Sequence, residues 1–173
     1  MDRAERAVLM RASVIGRRFH LEVLTETASC PEVLVRTALE HASDLQLIVE
    51  EDSAHEVFAF RHALTRDVIY EELTKGRIRP VHRRIARKLE RMFLSGDAAL
   101  DDLAYHAWSA GDVRRGVRYN ELAGDRAAAV HAQEEARTYY GRARGLVPIE
   151  SDADARLAEK LRRLGAAASS PSQ

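Results

Sequence analysis

The chain has 173 residues, of which 46% are hydrophobic and 31% are charged, and these proportions favour a folded, soluble protein over a disordered one. Its 27 basic and 27 acidic residues give a formal net charge of zero, so no overall field draws it to nucleic acid or to an anionic membrane. It has no long apolar run, no signal-peptide core and no cysteine besides Cys30, which predicts a cytoplasmic protein without membrane contact or an intramolecular disulfide bond.

Three short helices are predicted in the first third of the chain. Apolar residues at helical spacing indicate one helix over residues 3–13 and a second over residues 19–28. Ser29 is expected to cap a third helix, which ends near Ser43 and has Pro31 in its first turn.

A β-hairpin is predicted next. Residues 47–51 indicate a strand, residues 52–55 a turn, and the alternating residues 56–61 the second strand. Three helices followed by a hairpin are the winged-helix plan, a compact variant of the helix-turn-helix architecture. We therefore assign residues 1–78 to a winged-helix domain.

The rest of the chain has helical periodicity. Helices are expected over residues 63–75 and 81–94, with Pro80 between them. Residues 79–168 are assigned to antiparallel helical hairpins and residues 169–173 to a disordered tail. Within the hairpins the predicted helices are 103–108, 113–123 ending at Gly124, a short one to Ala132, 134–146 and 153–167.

Part of this helical region has the spacing of a tetratricopeptide repeat. Its second-helix pattern is matched by Ala136, Tyr140, Ala143 and Pro148. A weaker echo lies 20 residues earlier, whereas the usual period of this repeat is about 34 residues, so we expect repeat-like hairpins and not a regular array. The residues of this weaker echo are Gly116, Asn120 and Ala123.

The predicted fold class is mainly α: a winged-helix head with one β-hairpin, followed by tetratricopeptide-like antiparallel helical hairpins.

The candidate site residue with the most specific placement is His62. It lies where the hairpin ends and the helix over residues 63–75 begins, so an exposed imidazole and a cluster of backbone N–H groups could meet an anion there. The alternative is structural, since a histidine at this position can simply cap or pack against the helix.

Eight basic residues form a second candidate, in a part of the chain (residues 61–94) that has ten basic and four acidic groups. They could contact a phosphate backbone, but a solvated face paired with the acidic first third is favoured. The third predicted helix would enter a DNA groove, yet its one basic residue is Arg36, so nucleic acid is a disfavoured partner. The eight are Arg77, Arg79, His82, Arg83, Arg84, Arg87, Lys88 and Arg91, of which Arg83, Arg84, Arg87, Lys88 and Arg91 are the candidate contacts.

No catalytic motif is evident. The chain has no phosphate-binding G-x-x-x-x-G-K-[ST] loop and no G-x-S-x-G elbow, and its seven histidines lack the spacing of metal ligands. His106, beside Tyr105 and Trp108, is expected to be a packed helix residue. We expect no enzyme activity, no metal site and no cofactor in this chain by itself.

Several segments resemble, in the same order, one group of bacterial proteins: the STAND-type signal-transduction ATPases, which include large LuxR-type transcriptional regulators and regulator-linked nucleotide cyclases. The resemblance runs from about Leu9 to Leu146. In that family an ATPase module precedes a winged helix and helical repeats follow it. The segments that carry the resemblance are residues 13–19, 47–51, 60–73, 82–90, 103–112 and 119–127.

The resemblance implies a regulatory role as a piece of a longer protein. It implies an ATPase module as partner, in cis or in trans, with ADP or ATP bound there, and a regulatory protein partner on the helical hairpins. His62 resembles the histidine of a Met-His-Asp-like motif near the terminal phosphate of the nucleotide, although Ala63 stands where that motif has aspartate. The alternative is a free-standing winged-helix DNA-binding regulator.

Overall fold

The computed structural model describes residues 1–73, 78–96 and 99–168, so Arg77 and the predicted tail over residues 169–173 lie outside it. The chain divides into two compact units, Met1–Lys88 and Leu89–Gln173, which we call the N-terminal unit and the C-terminal unit. The boundary expected after residue 78 falls at the start of a helix, whereas the division between the units lies within that helix.

The predicted fold class is confirmed: the described residues are mainly helical, with one small antiparallel sheet. The elements of the N-terminal unit are α1 (Arg3–Ile15), β1 (Arg18–His20), α2 (Leu21–Ala28), α3 (Glu32–Asp44), β2 (Ile48–Asp52), β3 (Val57–Phe60), α4 (Ala63–Leu73) and the first part of α5 (Ile78–Ser95). Those of the C-terminal unit are the rest of α5, α6 (Leu100–Ser109), α7 (Val113–Ala129), α8 (Gln133–Arg144) and α9 (Asp152–Ala168).

The sheet has three strands in the order β1-β3-β2, one more than the predicted hairpin. β1 includes Phe19 and His20, which were expected to open the second helix. It pairs with β3, where Phe19 lies opposite Phe58, and Phe19 also packs against the ring of Phe60 at 5.8 Å between centroids. Because this pairing joins residues about forty positions apart, a three-residue local pattern could not indicate it.

The predicted cap of the third helix is wrong. Ser29 ends α2 in the left-handed conformation (φ 60°), and α3 begins after Pro31 without a side-chain cap. A left-handed residue turns the chain sharply after a helix, and the short connection between α2 and α3 requires such a turn. By contrast, α1 begins with a capping box, in which Asp2 accepts from the backbone N–H of Glu5 at 2.8 Å.

The core of the N-terminal unit lies between the inner faces of α1, α2, α3 and the sheet. This packing fixes β3 and therefore the start of α4, since the backbone N–H of Phe60 donates to the carbonyl of Arg17 at 2.8 Å. The large buried side chains of this core are Val8, Leu9, Phe19, Leu21, Leu24, Val35, Leu39, Ile48 and Phe60.

One continuous helix, α7, replaces the two helices that were predicted to meet at Gly124. Gly124 is buried within α7, and a Cβ there would lie 2.4 Å from the ring of Tyr140 on α8. The glycine therefore permits close packing of α7 on α8 and does not end the helix.

The continuity of α7 also explains the 20-residue offset between the repeat-like patterns. α7 packs against α6 before it and against α8 after it, so it serves as the second helix of one hairpin and the first helix of the next. The residues that echo the repeat are buried on it, and Asn120 donates from Nδ2 to the carbonyls of Ala104 and Gly116, both at 2.8 Å. α9 then packs against α8, where Leu157 joins Ala136, Tyr140 and Ala143 in a buried cluster.

Candidate functional site

His62 is exposed at the junction of β3 and α4. Its carbonyl accepts from the backbone N–H groups of Thr65 and Arg66, at 3.1 and 3.4 Å, as the first turn of α4 forms. Within the described parts of the chain, its imidazole has no hydrogen-bond partner. The side chain is therefore accessible to a ligand or to another polypeptide.

Arg66 fixes the N-terminal half of α4 against α1. Its Nε donates to the carbonyl of Ser13 at 2.8 Å, and its guanidinium lies 4.7 Å from the centre of the Tyr70 ring. It also pairs with its neighbour Asp67 at 3.0 Å. The start of α4 is thus held by the N-terminal unit, and His62 is presented from a fixed position.

Two apolar side chains that follow His62 on α4 are exposed. Leu64 is 78% exposed and Val68, one turn further, is 61% exposed. We call these three residues the α4 surface. Beside it, an apolar groove of about 550 Å³ lies between α1, α4 and the turn before β2. Its lining residues are Met1, Arg6, Leu9, Met10, Leu45, Leu47, Leu64, Thr65, Val68, Ile69 and Glu72.

Sequence reasoning missed this surface. The helix predicted over residues 63–75 has the apolar residues Leu64, Val68, Ile69 and Leu73, and apolar residues at helical spacing are normally buried. Ile69 does pack against the core, but Leu64 and Val68 do not. The four-residue spacing of Leu64 and Val68 was the available signal, although it cannot tell a buried stripe from an exposed one.

The side chains of the predicted basic segment differ in their burial. Arg83, Arg87 and Arg91 are exposed, and Arg79 is too. Lys88 is only 8% exposed: it pairs with Glu22, and with Glu26 at 3.5 Å. Arg84 is exposed but donates to the hydroxyl of Ser29 at 2.5 Å.

His82 does not belong to a basic surface, contrary to its place in the predicted segment. It is buried on the apolar side of α5, one turn before the buried Ile85. Burial, with a smaller contribution from the charge of Arg66, lowers the pKa of His82 from 6.5 to about 4. At neutral pH it is therefore an uncharged core residue.

The third helix, α3, has few basic side chains that could donate to bases or phosphates in a DNA groove. Arg36, the one arginine of α3, pairs with Glu32 at 2.7 Å and with Glu56 at 2.9 Å. The other charged side chains on its exposed positions include Glu40 and Asp44. An acidic helix face is repelled by phosphates, which agrees with the expectation from sequence.

We expect the purified chain to leave random duplex DNA unshifted in a mobility assay, even at low salt, because Arg36 and Lys88 are already paired with carboxylates. The matched variant is Arg83→Glu with Arg87→Glu, which should behave like the wild type. A salt-dependent shift that this double variant abolishes would contradict the prediction and favour the DNA-binding alternative.

The described residues offer neither a metal site nor a membrane-spanning helix. Over residues 1–73, 78–96 and 99–168, no three side chains among His, Cys, Asp and Glu are grouped so that they could hold a metal ion. Within the same ranges, every helix is too short or too polar to cross a membrane. His106 is buried and packs edge-on against the Tyr105 ring, as expected for a packed helix residue.

Comparison of the chain with models of protein families, with curated proteins and with solved structures found no match.

Proposed function

We propose that this chain is a non-catalytic regulatory segment of a signal-transduction ATPase or transcriptional regulator, which relays the nucleotide state of an ATPase module to a protein-binding helical region. The observation that carries the proposal is the α4 surface, where an exposed imidazole at the start of an anchored helix is followed by two exposed apolar side chains one turn apart. Such a combination suits a docking surface that also contacts an anion.

The chemistry of the α4 surface supports a closed state that depends on nucleotide. The His62 imidazole can donate a hydrogen bond to a phosphate oxygen of ADP bound in the ATPase module, and the start of α4 favours negative charge. Burial of Leu64 and Val68 in the contact would add about 1.5–3 kcal/mol for each side chain. This energy is small enough for an exchange of nucleotide to shift the population toward an open state.

The helical hairpins provide the other end of the relay. Helix α5 belongs to both units, with residues 78–88 in the first and 89–95 in the second. In the C-terminal unit, Glu90 of α5 accepts from Arg115 at 2.7 Å and from the Tyr119 hydroxyl at 2.8 Å, both on α7. A regulatory protein bound to the hairpins would thus act on helices in which α7 is held to the end of α5 by charge-assisted hydrogen bonds.

We expect His62→Ala, in the protein that contains the ATPase module, to speed the release of ADP by about tenfold, the effect of losing one hydrogen bond to a charged group. Release of a fluorescent ADP analogue measures this directly. His55→Ala is the matched control, because His55 is exposed on the β2–β3 turn of the same unit. Equal ADP release from the wild type and His62→Ala would remove His62 from the mechanism.

The coding sequence before Met1, and the neighbouring genes, provide an independent test. A phosphate-binding G-x-x-x-x-G-K-[ST] loop in the same frame or in an adjacent gene would supply the ATPase module that the proposal requires. Without one, the alternative of a free-standing winged-helix DNA-binding regulator would become the better explanation.

A further inference from the structure

Four side chains of the C-terminal unit form a cluster that has no role in the proposed coupling. The guanidinium of Arg142 on α8 lies 5.0 Å from the ring centre of Trp108 and 5.7 Å from that of Tyr105, both on α6, and 5.8 Å from that of Tyr139 on α8. Trp108 is 38% exposed, and the other three are partly exposed. We call these residues the aromatic–arginine cluster.

Ring contacts of this kind leave hydrogen-bonding capacity unused. A ring attracts the charge of a guanidinium through its π-system, whereas the N–H groups of the guanidinium remain available as hydrogen-bond donors. A guanidinium held in this way can bind a carboxylate through two parallel hydrogen bonds, with little further loss of side-chain freedom.

Other partly buried cations of the same unit, unlike Arg142, are paired with carboxylates of the described residues. Arg115 is partly buried and pairs with Glu90 and Asp112. Lys160 is partly buried and pairs with Glu121 and Asp125. Among the described residues, no carboxylate lies within salt-bridge distance of Arg142.

We propose that the aromatic–arginine cluster binds a peptide segment of a partner protein, in which one carboxylate side chain bonds to Arg142 and a neighbouring apolar side chain packs on Trp108. Trp, Tyr and Arg are the residues that most often dominate the energy of protein interfaces. This inference rests on the proposed function in one respect, the binding of a protein partner by the helical hairpins, and it specifies the chemistry of that partner.

The surroundings of the cluster favour a single carboxylate over a nucleic acid. Burial, and the hydrogen bond that the Tyr139 hydroxyl donates to Asp101, raise the pKa of Tyr139 to about 12. The negative charges of Asp101 and Glu135 thus lie close to the cluster, and residues 95–173 contain 11 basic and 12 acidic residues. A polyanion would be repelled there, whereas one carboxylate on an otherwise apolar peptide can approach Arg142 alone.

A displayed library of random peptides, panned separately on the wild type and on Arg142→Met, tests the proposal. We expect the wild type to enrich peptides that have an acidic residue next to an apolar one, and Arg142→Met to lose that enrichment. Individual selected peptides should change the fluorescence of Trp108, which is the one tryptophan of the chain. Their glutamine-for-glutamate versions should bind about tenfold more weakly.

Two further variants separate binding from folding. Arg118→Met is the control, because Arg118 also lies over a ring, that of Tyr119 at 5.3 Å, but outside the cluster, and it should bind like the wild type. Arg142→Lys keeps the charge without the planar donors and should bind with intermediate strength. Peptides without acidic residues, equal binding by folded Arg142→Met, or no enrichment at all would overturn the inference. None of these results would bear on His62, so they leave the coupling proposal to its own test.

Discussion

Gly124→Ala should destabilise the C-terminal unit by about 1–3 kcal/mol, the usual cost of forcing extra volume into a packed interior. The added Cβ would lie 2.4 Å from the Tyr140 ring, which is buried and whose hydroxyl donates to Asp125 at 2.6 Å, so the ring cannot move aside without losing that bond. Urea unfolding followed by the fluorescence of Trp108, which lies in the same unit, measures the change.

Gly141→Ala is the matched control for this substitution. Gly141 lies in helix α8, and a Cβ there would meet nothing within 4 Å. Alanine should therefore stabilise the unit by up to about 1 kcal/mol, the difference in helix propensity between the two residues. Equal effects of the two substitutions would show that Gly124 does not set the contact between α7 and α8.

The second large effect is a loss of stability in acid that depends on His82. Its pKa is about 4 in the folded protein, below the 6.5 of an unperturbed histidine, so the unfolded chain binds the proton first. The contribution is fully present above about pH 6.5 and is lost as the pH falls toward 4. Over that range the unfolding free energy of the wild type should fall by about 3 kcal/mol relative to His82→Leu.

Parallel urea titrations of the two proteins at several pH values, followed by circular dichroism, measure this difference. Ile85→Val is the control, because Ile85 is a buried neighbour on the same side of α5. It should cost about 1 kcal/mol at every pH, since no charge changes. A wild type and a His82→Leu variant that lose stability in parallel would contradict the burial of a neutral imidazole.

The periodic parts of the fold were predictable from the sequence. Helices α1, α3 and α5 repeat their apolar residues at helical spacing, and the hairpin of β2 and β3 alternates, so local patterns were sufficient. β1 was not predictable, because its three residues become a strand only through their pairing with β3. The length of α7 was missed because Gly124 has the same appearance in a sequence whether it ends a helix or admits a neighbouring ring.

The candidate site was predictable in position but not in extent. The junction of strand and helix placed His62 correctly at the start of α4. The sequence could not separate His82 and Lys88 from the exposed arginines around them, because their burial depends on the side of α5 that each residue occupies and on Glu22 and Glu26 of another helix. The α4 surface and the aromatic–arginine cluster likewise depend on contacts between elements.

Hydrogen exchange of residues 63–73, in the protein that contains the ATPase module, tests the coupling proposal most directly. With ADP bound, we expect the amides of α4 to exchange more slowly than with a non-hydrolysable ATP analogue, because the closed state covers His62, Leu64 and Val68. Identical exchange of α4 in the two nucleotide states would contradict the account.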